Sequence, residues 1–220
     1  TRDVTQGPVE MLLALCHFAP VRDLLVRVFK TQNPDGDWPQ WFMFFDRERG
    51  IRPGDSHGDI VYWPVLALAQ YLLATEDAVL LDEQVPFFHP EGDESAEQAT
   101  LWQHVERALA VMQERVIAGT HLAAYGNGDW NDSLQPVDPA MKERLCSAWT
   151  VTLHYHTLRT LAAGLRQAGR RGTGDAALDV DRLERWSDEV LADYQRLLIA
   201  DGVLAGFVHV DVDGSIERLL

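Results

Sequence analysis

The sequence predicts an all-α protein, because helical periodicity recurs along the chain while strand-like alternation is scarce. Apolar residues return every three or four positions in five segments, which are separated by long polar loops. The segments are 8–30, 64–73, 96–117, 145–167 and 180–199. Helices that alternate with such loops are typical of a helical toroid or solenoid, which collects its loops at one mouth.

Local signals mark the individual elements along the chain. Segment 8–30 contains Pro20, which predicts two helices with the proline at or just before the start of the second. In GDIVYWPVLALA and CSAWTVTLHY a polar loop leads into a helix that begins near a Trp. His154 and His156 are two positions apart on a helix, so we expect them to point to different sides. The glycine-rich linker 169–174 predicts a surface loop, and GFVHVDV followed by DVDG predicts a strand and a turn.

The composition is that of a folded and strongly acidic protein. Of 220 residues, 46% are hydrophobic and 24% charged, which excludes a disordered or fibrous protein. Asp and Glu number 34 against 19 Lys and Arg, a formal net charge of −15. Because this charge repels phosphate backbones and anionic headgroups, we expect neither nucleic acid nor a membrane surface as a partner. Cys16 and Cys146 are the two cysteines, too few for a disulfide framework or a cysteine metal site.

The segment richest in candidate chemistry is YGNGDWNDSLQP, at 125–136. Trp130 offers a flat apolar face, and Asp129, Asn131 and Asp132 are beside it. An indole and paired carboxylates suit a sugar ring, and a carboxyl desolvated against the indole would have the raised pKa of a general acid. One alternative is a turn with a buried Trp and helix-capping Asp residues. Another is a calcium loop, which fits poorly because Asp132 takes the position of the required Gly.

Two further segments carry candidate residues. The long loop 32–63 is rich in aromatic residues and ends in GDSHGDIVYW, where His57 and Asp59 could be ligands, an acid–base pair or a helix cap. In TRDVTQG, Arg2 and Asp3 are adjacent and therefore face different ways. One of them could bind substrate while the other orients the loop, or both could be ordinary surface charges.

Three motifs in this order carry a family resemblance: TRDVTQ, then GDWPQWF with GDSHGDIVYWPVLALAQYL, then GNGDWNDSLQP followed by SAWTV. Together they resemble the catalytic barrel of the inverting glycoside phosphorylases of glycoside hydrolase family 94 (GH94). That family includes cellobiose, chitobiose and β-1,2-oligoglucan phosphorylases and the phosphorylase-like end of cyclic β-1,2-glucan synthases. The resemblance covers almost all of the chain and implies an (α/α)6 barrel. Because the pattern predicts about half of the helices of that ring, we expect residues 1–220 to be a fragment of a single barrel.

The resemblance also implies a reaction, the inverting phosphorolysis of β-linked gluco-oligosaccharides to α-glucose 1-phosphate. Inorganic phosphate is then the co-substrate, and neither a cofactor nor a metal is expected. Asp132 matches the general acid, Trp130 lines the donor glycosyl subsite, and Asp3 binds hydroxyls of that sugar. The remaining candidates for substrate binding are Arg2, Asp129, Asn131, Trp41, His57 and Asp59. The family often has Gln-Asp where this chain has Gln6-Gly7, so the subfamily stays open.

Two other classes stay open. An inverting hydrolase would need a second catalytic carboxylate, for which Asp59 and Asp37 are candidates. A non-catalytic carbohydrate-binding module would keep Trp130 and tolerate the loss of Asp132. Because the family's phosphate ligands come largely from later in the barrel, we expect the isolated fragment to be inactive. Expected partners are the oligosaccharide, phosphate, the rest of the parent polypeptide and a second copy in a homodimer, and the expected location is the cytoplasm.

Overall fold

The computed structural model describes residues 1–132, 134–170 and 179–219, so residues 171–174 of the predicted linker lie outside it. Helices dominate these ranges, and short strands accompany them. The helices are α1 Arg2–Thr5, α2 Gly7–Ala14, α3 Phe18–Phe29, α4 Tyr62–Thr75, α5 Leu101–Glu114, α6 Ala148–Gln167 and α7 Val180–Asp193. The strands are β1 Gln84–Pro86, β2 Gln98–Thr100, β3 Leu145–Ser147, β4 Ile199–Ala200, β5 Val203–Leu204, β6 Phe207–Val210 and β7 Ile216–Leu219.

The prediction of an all-α fold is wrong, because the described residues include three antiparallel sheets. Strand β1 pairs with β2 and β4 with β5, while β3, β6 and β7 form a three-stranded sheet in that order. Strands β2 and β3 occupy residues that the periodicity assigned to the starts of α5 and α6. Such short strands show no alternation, and they pair with distant residues such as Leu145 with His209. Tertiary contact, which a local pattern does not encode, decides this pairing.

The predicted helical segments each contain a helix, and their starts have local causes. Pro20 stands in the first turn of α3, and α2 and α3 are separate as expected. Helix α5 begins in a capping box, in which Thr100 and Gln103 bond each other's backbone N–H groups. Helix α6 begins after Ser147, whose Oγ accepts from the N–H group of Thr150 at 3.2 Å. The strand and turn predicted from GFVHVDVDG are confirmed as β6 and the turn into β7.

Helices α4 and α6 pack side by side at the centre of the core. Helix α4 is buried without interruption from Tyr62 to Ala69, as an apolar helix inside a domain must be. A Cβ on Gly164 of α6 would lie 2.8 Å from the carbonyl oxygen of Ala69, so the glycine allows the two backbones to touch. The amphipathic helices α3 and α7 cover α4 and α6.

The starting ends of α4 and α6 lie together, as expected of helices that present their preceding loops at one mouth. Trp63 in the first turn of α4 and Trp149 in the first turn of α6 have ring centroids 5.8 Å apart. That residues 1–220 form one part of a single closed barrel stays a prediction. Within the described ranges, no helix has the length and apolar character needed to cross a bilayer.

His154 lies on the buried face of α6. It is completely buried, and neither ring nitrogen has such a partner among the described residues. Its ring centroid lies 5.2 Å from that of Tyr62 and 5.0 Å from that of Trp186. Burial lowers the pKa of His154 to about 3. His156 is exposed on the other side of α6, so the two histidines do point to different sides.

This burial predicts a pH-dependent stability. The unfolded chain takes up the His154 proton near its ordinary pKa of about 6.5, so the folded state loses stability as the pH falls from there toward the folded-state pKa. In the wild type, this protonation lowers the free energy of unfolding by up to about 1.4 kcal/mol per pH unit, and we expect His154→Phe to abolish that contribution. Urea unfolding at about pH 7 and about pH 5 measures it, with His156→Phe as the exposed control. An unchanged pH dependence in His154→Phe would contradict the assignment.

Candidate active site

Two loops meet over the starting ends of α4 and α6. The first loop is 54–61 and the second loop is 125–132. The N–H group of Gly58 donates to the carbonyl oxygen of Gly128 at 2.8 Å. A Cβ at Gly58 would lie 2.6 Å from the carbonyl oxygen of Tyr125, so this approach requires glycine. The contact brings the candidate residues of the two motifs together.

Asp132 stands at the end of the second loop, with 65% of its side chain exposed. Its Oδ1 atom lies 3.0 Å from Arg2 Nη2 and 3.3 Å from His57 Nδ1. The same His57 nitrogen lies 3.0 Å from the carbonyl oxygen of Asp129. Because both of its neighbours are acceptors, Nδ1 carries the proton. The Oδ2 atom of Asp132 makes no hydrogen bond within the described residues, so one oxygen is held and the other is open.

Arg2 connects Asp132 to a buried carboxylate. Its Nη1 atom donates to Asp59 Oδ2 at 3.1 Å, and Trp63 Nε1 donates to the same oxygen at 3.0 Å. Asp59 is completely buried, and its Oδ1 atom has no partner among the described residues. Burial raises the pKa of Asp59, an effect that Trp63 and Arg2 offset only in part. The neighbouring Asp3 is exposed and is not part of this network.

Asp129 is buried as well, with 2% of its surface exposed. Its Oδ2 atom accepts from Ser147 Oγ at 2.7 Å and from Thr150 Oγ1 at 3.3 Å. Its Oδ1 atom accepts from the backbone N–H group of Asn131 at 3.0 Å. These contacts tie the second loop to the start of α6 and favour an anchoring role over contact with a sugar. Across the described ranges, no group of three or more His, Cys, Asp or Glu is placed to hold a metal ion.

The aromatic residues form a row that ends at the surface. Trp130 is 53% exposed, and its ring centroid lies 5.9 Å from that of Trp149, which in turn contacts Trp63. An exposed indole does not fit the alternative of a turn built on a buried Trp. The expected desolvation of a carboxyl against this indole is not observed, because Asp132 is mostly exposed.

Trp41 lines a separate cavity of about 360 Å³, together with His57. Trp41 is 46% exposed, so its indole face is open to a ligand. Polar side chains complete the wall, and Lys142 Nζ donates to Asn127 Oδ1 there. Sequence reasoning missed Lys142, which has no motif around it. The other polar residues of this wall are Gln40, Asp55, Ser56 and Gln135.

Comparison of the sequence with known families shows to which family the chain belongs. The chain belongs to the glycosyl hydrolase 94 superfamily, whose catalytic-domain model matches residues 13–195. The predicted family is therefore confirmed.

Two curated relatives are phosphorylases. The chain is 38% identical over 214 residues to a 1,2-beta-oligoglucan phosphorylase of Listeria innocua serovar 6a, a match that covers 96% of this chain and 18% of that relative. It is 35% identical over 125 residues to a solabiose phosphorylase of Paenibacillus borealis, a match that covers 56% of this chain and 15% of that relative. The chain thus spans less than a fifth of the length of these relatives.

Proposed function

We propose that the protein containing this chain is an inverting glycoside phosphorylase, which converts β-linked gluco-oligosaccharides and phosphate to α-glucose 1-phosphate. The observation that carries the proposal is the geometry of Asp132, whose Oδ1 is held by Arg2 and His57 while its Oδ2 makes no hydrogen bond to another described residue. The exposed indole of Trp130 lies in the same loop. The phosphorylase names of both relatives support this proposal.

In the proposed reaction, Asp132 donates its proton to the glycosidic oxygen as the bond from that oxygen to the anomeric carbon breaks. A phosphate oxygen attacks the same carbon from the opposite face, so a β-linkage yields an α-phosphate. The leaving sugar keeps the proton as its new hydroxyl. Phosphate is already an anionic nucleophile, so the reaction needs only one catalytic carboxyl from the protein.

A hydrolase would need a second carboxylate to activate water. Both candidates named for that role are buried in ion pairs. Asp59 pairs with Arg2, and Asp37 pairs with Arg115 while also accepting from the N–H group of Trp38 at 2.8 Å. Neither carboxylate is placed to activate a solvent water, which favours phosphorolysis.

Residues 1–220 supply the proton donor and the aromatic face, and we place the phosphate ligands in the rest of the parent polypeptide. A net charge of −15 opposes phosphate binding by the chain alone. We therefore propose that the isolated chain is inactive and that catalysis requires the whole protein. Asp3 and Asn131 remain proposed ligands of the donor sugar. The homodimer and the cytoplasmic location stay predictions.

The test uses the whole protein with β-1,2-, β-1,3- and β-1,4-linked gluco-oligosaccharides, each with and without phosphate. We expect α-glucose 1-phosphate to form only when phosphate is present, with its anomeric configuration read by NMR. Release of reducing sugar without phosphate would instead identify a hydrolase. Binding of oligosaccharide without any turnover would identify a binding module.

The cavity of Trp41 predicts a residue for the acceptor sugar. His57 contacts Asp132 and also lines this cavity, whereas Trp130 lies outside it. The proposed proton donor Asp132 lies between the donor sugar and the acceptor sugar. If Trp130 contacts the donor sugar, then Trp41 lies on the acceptor side. In the synthetic direction, we expect Trp41→Ala to raise the KM of the acceptor about tenfold, the loss of one stacking contact. The KM of α-glucose 1-phosphate should stay within about twofold.

The control for this variant is Phe45→Ala, which removes another exposed aromatic residue of the same long loop. It should leave both KM values unchanged. An equal rise of both KM values in Trp41→Ala would contradict the acceptor assignment.

A further inference from the structure

We propose that Asp59 is a positioning residue for Asp132, acting through the guanidinium of Arg2, and that it does not contact the sugar. This inference rests on the proposed function, in which Asp132 is the proton donor. It departs from the sequence-based expectation that Asp59 binds substrate.

The burial of Asp59 excludes it from direct contact with a ligand. Its side chain is completely buried just before α4, and its backbone carbonyl accepts from the N–H group of Tyr62 at 3.2 Å. A carboxylate that is buried away from solvent needs a charged partner, and leaving it unpaired is strongly unfavourable. Arg2 is the cation that meets this need, at 3.1 Å. The position of Arg2 is therefore set by Asp59.

The two ends of the guanidinium serve different carboxylates. Nη1 faces the buried Asp59, while Nη2 faces the exposed Asp132 at 3.0 Å. The Arg2 side chain itself is only 13% exposed. A planar guanidinium can bridge two acceptors in fixed directions, which the single ammonium of a lysine cannot do. The buried end thus holds the group, and the exposed end places Oδ1 of Asp132.

Asp59 is also connected by a chain of contacts to the exposed Trp130. Trp63 donates to Asp59 Oδ2, and its ring contacts Trp149, which contacts Trp130. The same buried carboxylate therefore orients an arginine on the proton donor and an indole in the row that supports the exposed Trp130.

Asp59 also balances the charge around the proton donor. Arg2 and His57 face Asp132, the carboxylate of Asp59 lies behind Arg2, and the backbone carbonyl oxygen of Asp129 contacts His57. Removing the Asp59 charge would leave the positive charge of Arg2 beside Asp132 less compensated, and a positive charge favours the ionised form of a carboxyl, which cannot donate a proton. Loss of Asp59 should therefore change the pH dependence of the reaction as well as its rate.

The experiment compares the wild type with Asp59→Asn in the whole protein, measuring phosphorolysis as a function of pH. We expect kcat to fall about 10- to 100-fold while the KM of the oligosaccharide stays within about threefold. The alkaline limb of the kcat profile should move about 0.5 to 1 pH unit lower. The matched control is Asp193→Asn, a buried carboxylate paired with Arg196 at the end of α7. It should change neither kcat nor the profile.

A double-mutant cycle separates positioning from a general loss of structure. If Asp59 acts through Arg2, then Asp59→Asn should lower kcat less than about twofold in an Arg2→Lys background. Independent losses in the two variants, an unmoved pH profile, or a raised KM with unchanged kcat would each overturn the inference. These outcomes presuppose an active wild type. A wild type that forms no α-glucose 1-phosphate would overturn the proposed function and this inference together.

Discussion

Replacing Asp132 by Asn in the whole protein is expected to reduce phosphorolysis of an oligosaccharide about a thousandfold or more. The amide has nearly the same shape and keeps an oxygen for Arg2 and His57, but it has no acidic proton for the leaving sugar. Initial rates of α-glucose 1-phosphate formation measure the effect. The loss should fall on kcat, because the contacts to the bound sugar are retained.

A β-glucoside of an acidic phenol separates proton donation from binding. Its leaving group departs without protonation, so Asp132→Asn should lose less than about tenfold on this substrate. The matched control is Asp138→Asn, an exposed carboxylate beyond the second loop that accepts from the N–H group of Ala140 at 2.9 Å. It should retain nearly full activity. Equal losses of activity on the oligosaccharide and on the phenyl glucoside would show that Asp132 is not the proton donor.

The second large effect is expected for Asp129→Ala, which should destabilise the second loop by about 2–4 kcal/mol. The variant removes the carboxylate oxygen that accepts from the hydroxyls of Ser147 and Thr150, and it removes the oxygen that accepts from the backbone N–H group of Asn131. Hydrogen exchange over residues 126–150 of the whole protein measures the lost protection. Activity should fall with it, because Asp132 is three residues away in the same loop.

The exposed Asp138→Ala is the control for this stability effect, and it should cost no more than about 1 kcal/mol. If Asp129→Ala kept its hydrogen-exchange protection and still lost activity, Asp129 would be a substrate ligand and the anchoring role would be wrong.

The order of the motifs was sufficient to predict the family. Arg2, His57 and Asp132, which lie in three different motifs, do come together. Sequence reasoning could not distinguish exposed candidates from buried ones. Asp59 and Asp129 stand in the same polar motifs as His57 and Asp132, yet both are buried and engaged by neighbouring side chains. Local composition shows which groups are present, whereas desolvation depends on what packs over them.

The same limit explains the error in the fold class. Helices α4 and α6 repeat their apolar residues over several turns, so their periodicity is visible in the sequence. Strands β2 and β3 are too short to show a period, and they pair with residues that approach only in the folded chain.

Motif order and periodicity were enough to predict the family and the helical segments, and to single out the motif that carries Asp132. The reach of Arg2 to Asp59, 57 positions away, and to Asp132, 130 positions away, is visible only in the folded chain. This network depends on two loops whose backbones touch at Gly58 and on a carboxylate buried beneath them. Close packing between distant segments produces both the contact of the two loops and the burial of the carboxylate. Neither of them gives a periodicity or a motif spacing that could be recognised in the sequence.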